Sequence, residues 1–339
     1  MNSRSAGMFL SLILVIVAVG RVSATSMTEC SYQLTESFFP YIPFINEFQT
    51  FADIEDKLQP GDIVCFEEGQ YSGISIENVH ATQSSPIVLK SIVDKGAHIS
   101  LSDYKGTGIS LRDSSYIRIE GFKVSGGLYG IRALDSHDVI IHRNWIENVG
   151  QEAIVATVDE CNTHSGNFTI SENRILTTGR KNPQYGEGIY IGSGKASLCG
   201  VETVLINGNT ISETTNEAID IKYNVSDVLI QNNRIDNIDL AFNGVITLST
   251  SEFPKVDGKY RVLNNRISNF SNRNGYTANA IAVGNGDVVI KDNFVDNEDG
   301  FFVYIYETIS QSKSKRVLIE RNKYVGGVKS TYFARGDGS

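Results

Sequence analysis

The segment "NEAIDIK" sets Glu217, Asp220 and Lys222 within six residues, two acids and a base. The segments "QEAIVAT" and "GEGIYIG" carry Glu152 and Glu187 at the equivalent place, just before a small residue and a short apolar strand. Carboxylates gathered in this way need a cation, a raised pKa or a basic partner. Calcium, a hard ion that takes several oxygens at roughly 2.3–2.6 Å, suits such a set. Glu152, Glu187, Glu217 and Asp220 are therefore the candidate calcium ligands, and Lys222 is the candidate base for proton transfer. The same residues also admit a plainer reading: glutamates accepting bonds from turn amides, and a surface lysine paired with Asp220. Tyr190, Arg132, Tyr304 and Tyr306 fall on the same strands, where aromatic rings and a cation suit the faces and charges of sugars.

Such residues can act together only if something stacks them. The chain repeats x-Val-x-Ile-x-x-Asn-x-Ile as "DVIIHRNWI", "NFTISENRI", "TVLINGNTI", "DVLIQNNRI", "YRVLNNRI", "DVVIKDNFV" and "RVLIERNKY". This aligns Asn144, Asn173, Asn209, Asn233, Asn265, Asn293 and Asn322, with Gly121 one turn earlier. The spacing, roughly 23 to 36 residues, is that of solenoid coils with loops of varied length. A second short strand recurs in each coil as "GIRAL", "AIVAT", "GIYIG", "AIDIK", "VITLS", "AIAVG" and "VYIYE". Both strands alternate with period two, and no helical spacing intervenes. The fold class is therefore all-β, a single-stranded right-handed parallel β-helix of about ten coils.

Stacked in this way, Glu152, Glu187 and Glu217 form one column, and Arg132, Val155, Tyr190, Asp220, Thr247, Ala282 and Tyr304 form an outward column on an open face. The asparagines fill a structural role. Asn tolerates the left-handed conformation of a turn, and stacked amides can bond along the axis. An amphipathic capping helix is expected over residues 48–58, covering the open end of the first coil. The expected domain organisation is a signal peptide over 1–24, an arm over 25–47 and the β-helix over 48–339.

The front end, with its helix, Pro-Gly-Asp turn, apolar strand, Gly-x-Tyr and "SPIVLKS", resembles extracellular pectin-lyase-like proteins. Within these it is most similar to the alginate lyase and chondroitinase B polysaccharide lyases. "GEGIYIG" followed by Glu217 five residues before Lys222 resembles the centre of that family. The resemblance implies a calcium-assisted lyase that cleaves uronic-acid polysaccharide by β-elimination. Lys222 would be the base, with Tyr190 assisting proton transfer and Arg132, Tyr304 and Tyr306 touching substrate. The chain departs from the pattern at Thr215, where the family has a second acid, and on the next coil, where Thr247 and Ser249 replace a basic partner. Those departures keep two other readings in view: a non-catalytic carbohydrate-binding or matrix protein, and a glycosidase or uronate epimerase.

Arg4, the apolar run over residues 8–20, and Val22 and Ala24 read as a signal cleaved after Ala24, which makes the protein secreted and extracellular. Four cysteines and three sequons, at Asn167, Asn224 and Asn269, agree with an oxidising route. Cys161 and Cys199, in loops of successive coils, form one expected bridge, which leaves Cys30 with Cys65. A net charge of -9, more acidic still once Arg4 and Arg21 leave, argues against nucleic acid or a membrane surface as partner. The expected partner is an acidic polysaccharide, bound by a monomer through local cations. His137, His142 and His164 lack zinc spacing, and "RGD" at 335–337 is a short match of little specificity.

Overall fold

The computed structural model describes residues 30–35, 50–159, 165–193, 200–222, 224–248, 258–306 and 316–333. Three sheets of 11, 10 and 10 strands run along one axis, and each coil gives one strand to each. Neighbouring strands pair in parallel at constant register, as where Ile131, Ile154, Ile189, Ile219, Ile246 and Ile281 form one column. All six are fully buried. At roughly 1.5–3 kcal/mol per buried side chain, such columns are the main source of stability for a fold whose coils touch only their neighbours.

The asparagine ladder forms as expected. Each Nδ2 donates to the Oδ1 of the next ladder residue: Asn144 to Asn173 (3.1 Å), Asn173 to Asn209 (3.0 Å), Asn209 to Asn233 (3.0 Å) and Asn233 to Asn265 (2.9 Å). Asn265 and Asn293 continue it to Asn322. Two details differ from the sequence reading. The residue preceding each asparagine takes the left-handed conformation, as Arg143, Glu172, Asn232, Asn264, Asp292 and Arg321 do. The asparagine itself turns inward to bond along the axis. The column begins with Phe122, whose amide donates to Asn144 Oδ1 (3.0 Å), and not with Gly121, which holds the left-handed position (φ +76°).

The expected capping α-helix is instead two 3-10 turns, Phe51–Asp53 and Glu55–Lys57. Asp53 accepts a bond from the Thr50 amide, which closes the first turn, and Pro60 follows too soon for a longer helix to propagate. Ile54 and Leu58 are buried all the same, and Phe51 stacks on Phe66. A disulfide joins Cys30 to Cys65, bonding the strand Tyr32–Leu34 to the first coil. Cys161 and Cys199 lie outside the described residues, as do the leader and residues 335–337. Of the sequon asparagines, Asn167 and Asn269 are exposed. Asn224 is buried, directly before the strand Val225–Gln231. Among the described residues, no helix is long and apolar enough to cross a membrane.

Candidate functional site

The site lies on the third sheet, on the strands Tyr129–Leu134, Ile154–Thr157, Ile189–Ile191, Ile219–Ile221 and Gly244–Leu248. Each glutamate stands just outside its strand, and its carbonyl ties it to the previous coil. Glu152 O accepts from the Gly130 amide, Glu187 O from Ala153 and Glu217 O from Gly188. The residue after Glu187 must be glycine, because a Cβ at Gly188 would stand 2.6 Å from Ala218 O. These constraints fix the glutamate column in space.

Glu152 and Glu217 each face their own backbone amide, as the plainer reading expects, but every acid of the column keeps one oxygen that no amide reaches. Glu187 Oε2, Glu217 Oε2 and Asp220 Oδ1 are all buried without a hydrogen-bond partner. Ligand oxygens of Glu187, Glu217 and Asp220 lie within 4.8 Å of one another. Glu152 is not part of that group, although it lines the same cleft and also leaves Oε2 unpartnered. Lys222 forms an ion pair with Asp220 Oδ2, and its ammonium sits 5.2 Å from the centre of the Tyr190 ring. The cleft, of about 580 Å³, is lined by Glu152, Glu187, Glu217, Tyr190 and Lys222 together with Tyr129, Tyr185, Asn216, Phe242 and Asn243, and Asp220 lies buried behind that lining. Lys222 is its only cationic side chain among the described residues.

The electrostatics follow from burial. Desolvation, with the charge of Asp220 next, lifts Glu187 to about 9. The same causes lift Glu217 to about 8. Desolvation takes Glu152 to about 7 and raises Asp220 as well. For Lys222, burial pulls the pKa down, but Asp220 and Glu217 outweigh it and hold the ammonium above its ordinary range. Burial likewise raises the Tyr190 phenol, which therefore keeps its proton.

The sequence reading placed Asp220, Val155, Thr247 and Ala282 on an open face, and the structure buries all four. Asp220 is the cross-strand neighbour of Tyr190 and pairs with Lys222, and Thr247 turns its hydroxyl to Gly244 O. Thr215, where a second acid was looked for, donates to Pro183 O and so faces the loop over the preceding coil. Arg132 stacks over Tyr129 at 5.1 Å, two coils from Tyr190 and outside the cleft lining. Tyr304 and Tyr306 meet at 4.9 Å, and Tyr304 stacks on the exposed Tyr332 at 5.2 Å, so the aromatic face extends beyond the expected pair.

Two site residues escaped the sequence reading. Asn216 donates to Glu187 Oε1 (3.1 Å) and Asn243 to Glu217 Oε1 (2.7 Å), each holding the acid one coil back. Asn243 Oδ1 in turn accepts from the Tyr306 hydroxyl (2.8 Å). The signal was an asparagine just before Glu217 and another just before Gly244, at the same column position. Gly186 occupies that position above Glu152 and offers no side chain.

Residues 60–199 match the family model described as "Right handed beta helix region". The same three parallel sheets continue beyond the matched residues around one core. The chain is a right-handed parallel β-helix protein. Over 132 residues this β-helix is 28% identical to "Uncharacterized protein YclG" of Bacillus subtilis (strain 168), a match covering 37% of this chain and 19% of that protein. The chain thus spans about a fifth of that relative's length. Among solved structures, it is similar to an alginate lyase from Paenibacillus sp. str. FPU-7, with a TM-score of 0.69 and 19% identity, covering 90% of this chain and 100% of that one. Pectate lyase Pel9A follows at 0.61 and 13%, covering 91% and 79%. The GH136 lacto-N-biosidase from Eubacterium ramulus superposes at 0.51 and 14%, covering 89% and 68%. At these identities the likenesses establish the fold.

Proposed function

We propose that this β-helix is a secreted enzyme that cleaves uronic-acid polysaccharide by β-elimination. The observation that carries the reading is the meeting of Glu187, Glu217 and Asp220, each with a buried unpartnered oxygen, at a cleft that Glu187, Glu217 and Lys222 line. An all-oxygen, acid-rich donor set with orphaned atoms fits a hard divalent cation such as calcium. When bound there, the ion supplies positive charge that steadies the substrate carboxylate as negative charge develops beside it. Lys222 takes the proton from the carbon next to that carboxylate. As the bond to the leaving oxygen breaks, a carbon–carbon double bond forms, and the Tyr190 phenol gives the leaving oxygen a proton. Lys222 must first shed its own proton. Neutralising Asp220 and Glu217 favours this, because burial then dominates the lysine's balance. Tyr304, Tyr306 and Tyr332 extend an aromatic face along which the polymer can lie.

A second reading is favoured by the raised pKa values of Glu187 and Glu217, which keep these acids protonated near neutrality when no cation is held. A protonated carboxylic acid in a cleft can serve as the general acid of a glycosidase. One assay separates the two. Purified protein is mixed with alginate, pectate, chondroitin and glucuronan, with and without calcium, and ultraviolet absorbance of the unsaturated uronate is followed. A calcium-dependent rise that Lys222→Ala abolishes establishes the lyase. Release of reducing ends without that absorbance supports the glycosidase, and neither signal on any polymer overturns both.

A further inference from the structure

A different row of side chains runs along the second sheet. The residue after each ladder asparagine points outward there and stacks on its counterpart in the next coil. In order these are Lys123, Trp145, Arg174, Thr210, Arg234, Arg266, Phe294 and Lys323. Five of the eight are cations, in a chain whose net charge is -9. Two cation–ring–cation sandwiches mark the ends. Trp145 lies between Lys123 (5.0 Å) and Arg174 (4.6 Å), and Phe294 between Arg266 (4.5 Å) and Lys323 (5.6 Å).

Cation–ring contacts can be structural, so the sandwiches alone imply no ligand. The middle of the row is different. Arg234 and Arg266 are direct cross-strand neighbours, and like charges so placed repel. Arg174, Arg234, Arg266 and Lys323 are exposed, and none of their side chains forms a hydrogen bond or ion pair among the described residues; Arg174, Arg266 and Lys323 rest on rings, and Arg234 has no ring contact there. The acids of the adjacent column do little to neutralise them. Glu147 pairs with Lys123 at 2.8 Å, Asp236 accepts from Ser268 and Asn269, and Asp296 forms no ion pair among the described residues. At about 4.8 Å per coil, the row presents positive charge over roughly 34 Å. Repulsion of this kind serves no purpose in the fold and is relieved by a linear polyanion.

We propose that this row is a second, non-catalytic surface that binds one strand of carboxylate-bearing polysaccharide along the helix axis. It would hold polymer near the cleft on the neighbouring sheet. Only the choice of a uronic-acid polymer over nucleic acid rests on the function proposed above.

The test uses the full-length protein carrying Lys222→Ala, so that polymer is not consumed. Binding of fluorescent alginate is followed by polarisation across a salt series, with neutral dextran and duplex DNA as comparison probes. The triple variant Arg174→Gln/Arg234→Gln/Arg266→Gln should weaken alginate binding about tenfold or more and flatten its salt dependence. In a chain retaining Lys222, the same triple should leave turnover of an oligosaccharide that fills only the cleft unchanged. Should the triple variant not fold, Arg234→Gln alone should cost about threefold. The binding comparison stands even if no polymer is ever cleaved. Alginate bound within about twofold by parent and variant, or by neither, overturns the proposal. Duplex DNA bound as tightly as alginate, with the same arginine dependence, overturns the polysaccharide assignment.

Discussion

Two buried polar columns run along this solenoid, and they are treated in opposite ways. In the asparagine ladder, Asn209 donates Nδ2 to Ile170 O (2.9 Å) and Asn233 Oδ1 (3.0 Å), while its Oδ1 accepts from the amide and Nδ2 of Asn173. In the acid column, Glu187 and Glu217 are as deeply buried, as is Asp220 beside them, yet each leaves an oxygen unpartnered. Buried polar atoms are normally satisfied, and an unsatisfied one costs about 1–3 kcal/mol. A fold that satisfies one column so regularly has the means to satisfy another. The acid cluster is therefore the place we propose for binding, whereas the ladder marks where polarity serves the fold.

That contrast can be broken by experiment. The largest effect is expected from Glu217→Gln, which should lower turnover about a thousandfold, roughly 4 kcal/mol. Its thermal midpoint at neutral pH, without added cation, should match that of the parent, since the amide replaces an acid that is already protonated there. A lowered midpoint with activity intact would place Glu217 with the structural residues. Asn209→Ala should do the reverse, costing about 3 kcal/mol in urea unfolding while turnover per folded molecule is kept.

Proton linkage sharpens the comparison further. The folded pKa values of Glu152, Glu187 and Glu217, about 7, 9 and 8, lie above the ordinary 4.5. Between those limits the cation-free folded state binds more protons than the unfolded chain, so its stability falls as pH rises from about 5 to about 9. Added calcium should reverse that slope in thermal melts. A pH-independent midpoint would show that the acids are already neutralised within the fold. The smallest effect is expected from Tyr306→Phe, which removes the bond to Asn243 Oδ1 and should cost about 1 kcal/mol or less in the same urea assay.

Much of the site was legible because a parallel solenoid converts sequence spacing into register. Once the inward isoleucines are aligned, Glu152, Glu187 and Glu217 must stack, and Tyr190 must neighbour Asp220. The row from Lys123 to Lys323 was written in the same repeat, directly after each asparagine. The helix expected over residues 48–58 was less legible. Its apolar spacing is compatible with more than one kind of turn, and the choice fell to Asp53 and the nearby Pro60.

The sequence by itself determined the repeat, the parallel stacking of two strands per coil and the columns into which their side chains fall. Those depend on period-two patterning and on residues adjacent along the chain. Only the tertiary structure decided that Asp220 is covered, that Glu187 rather than Glu152 joins it and Glu217, and that Asn216 and Asn243 hold two of the acids. Each of these depends on rotamers and on neighbours one coil away. A pattern fixes which residues share a column, but burial and hydrogen-bond geometry fix which atoms meet.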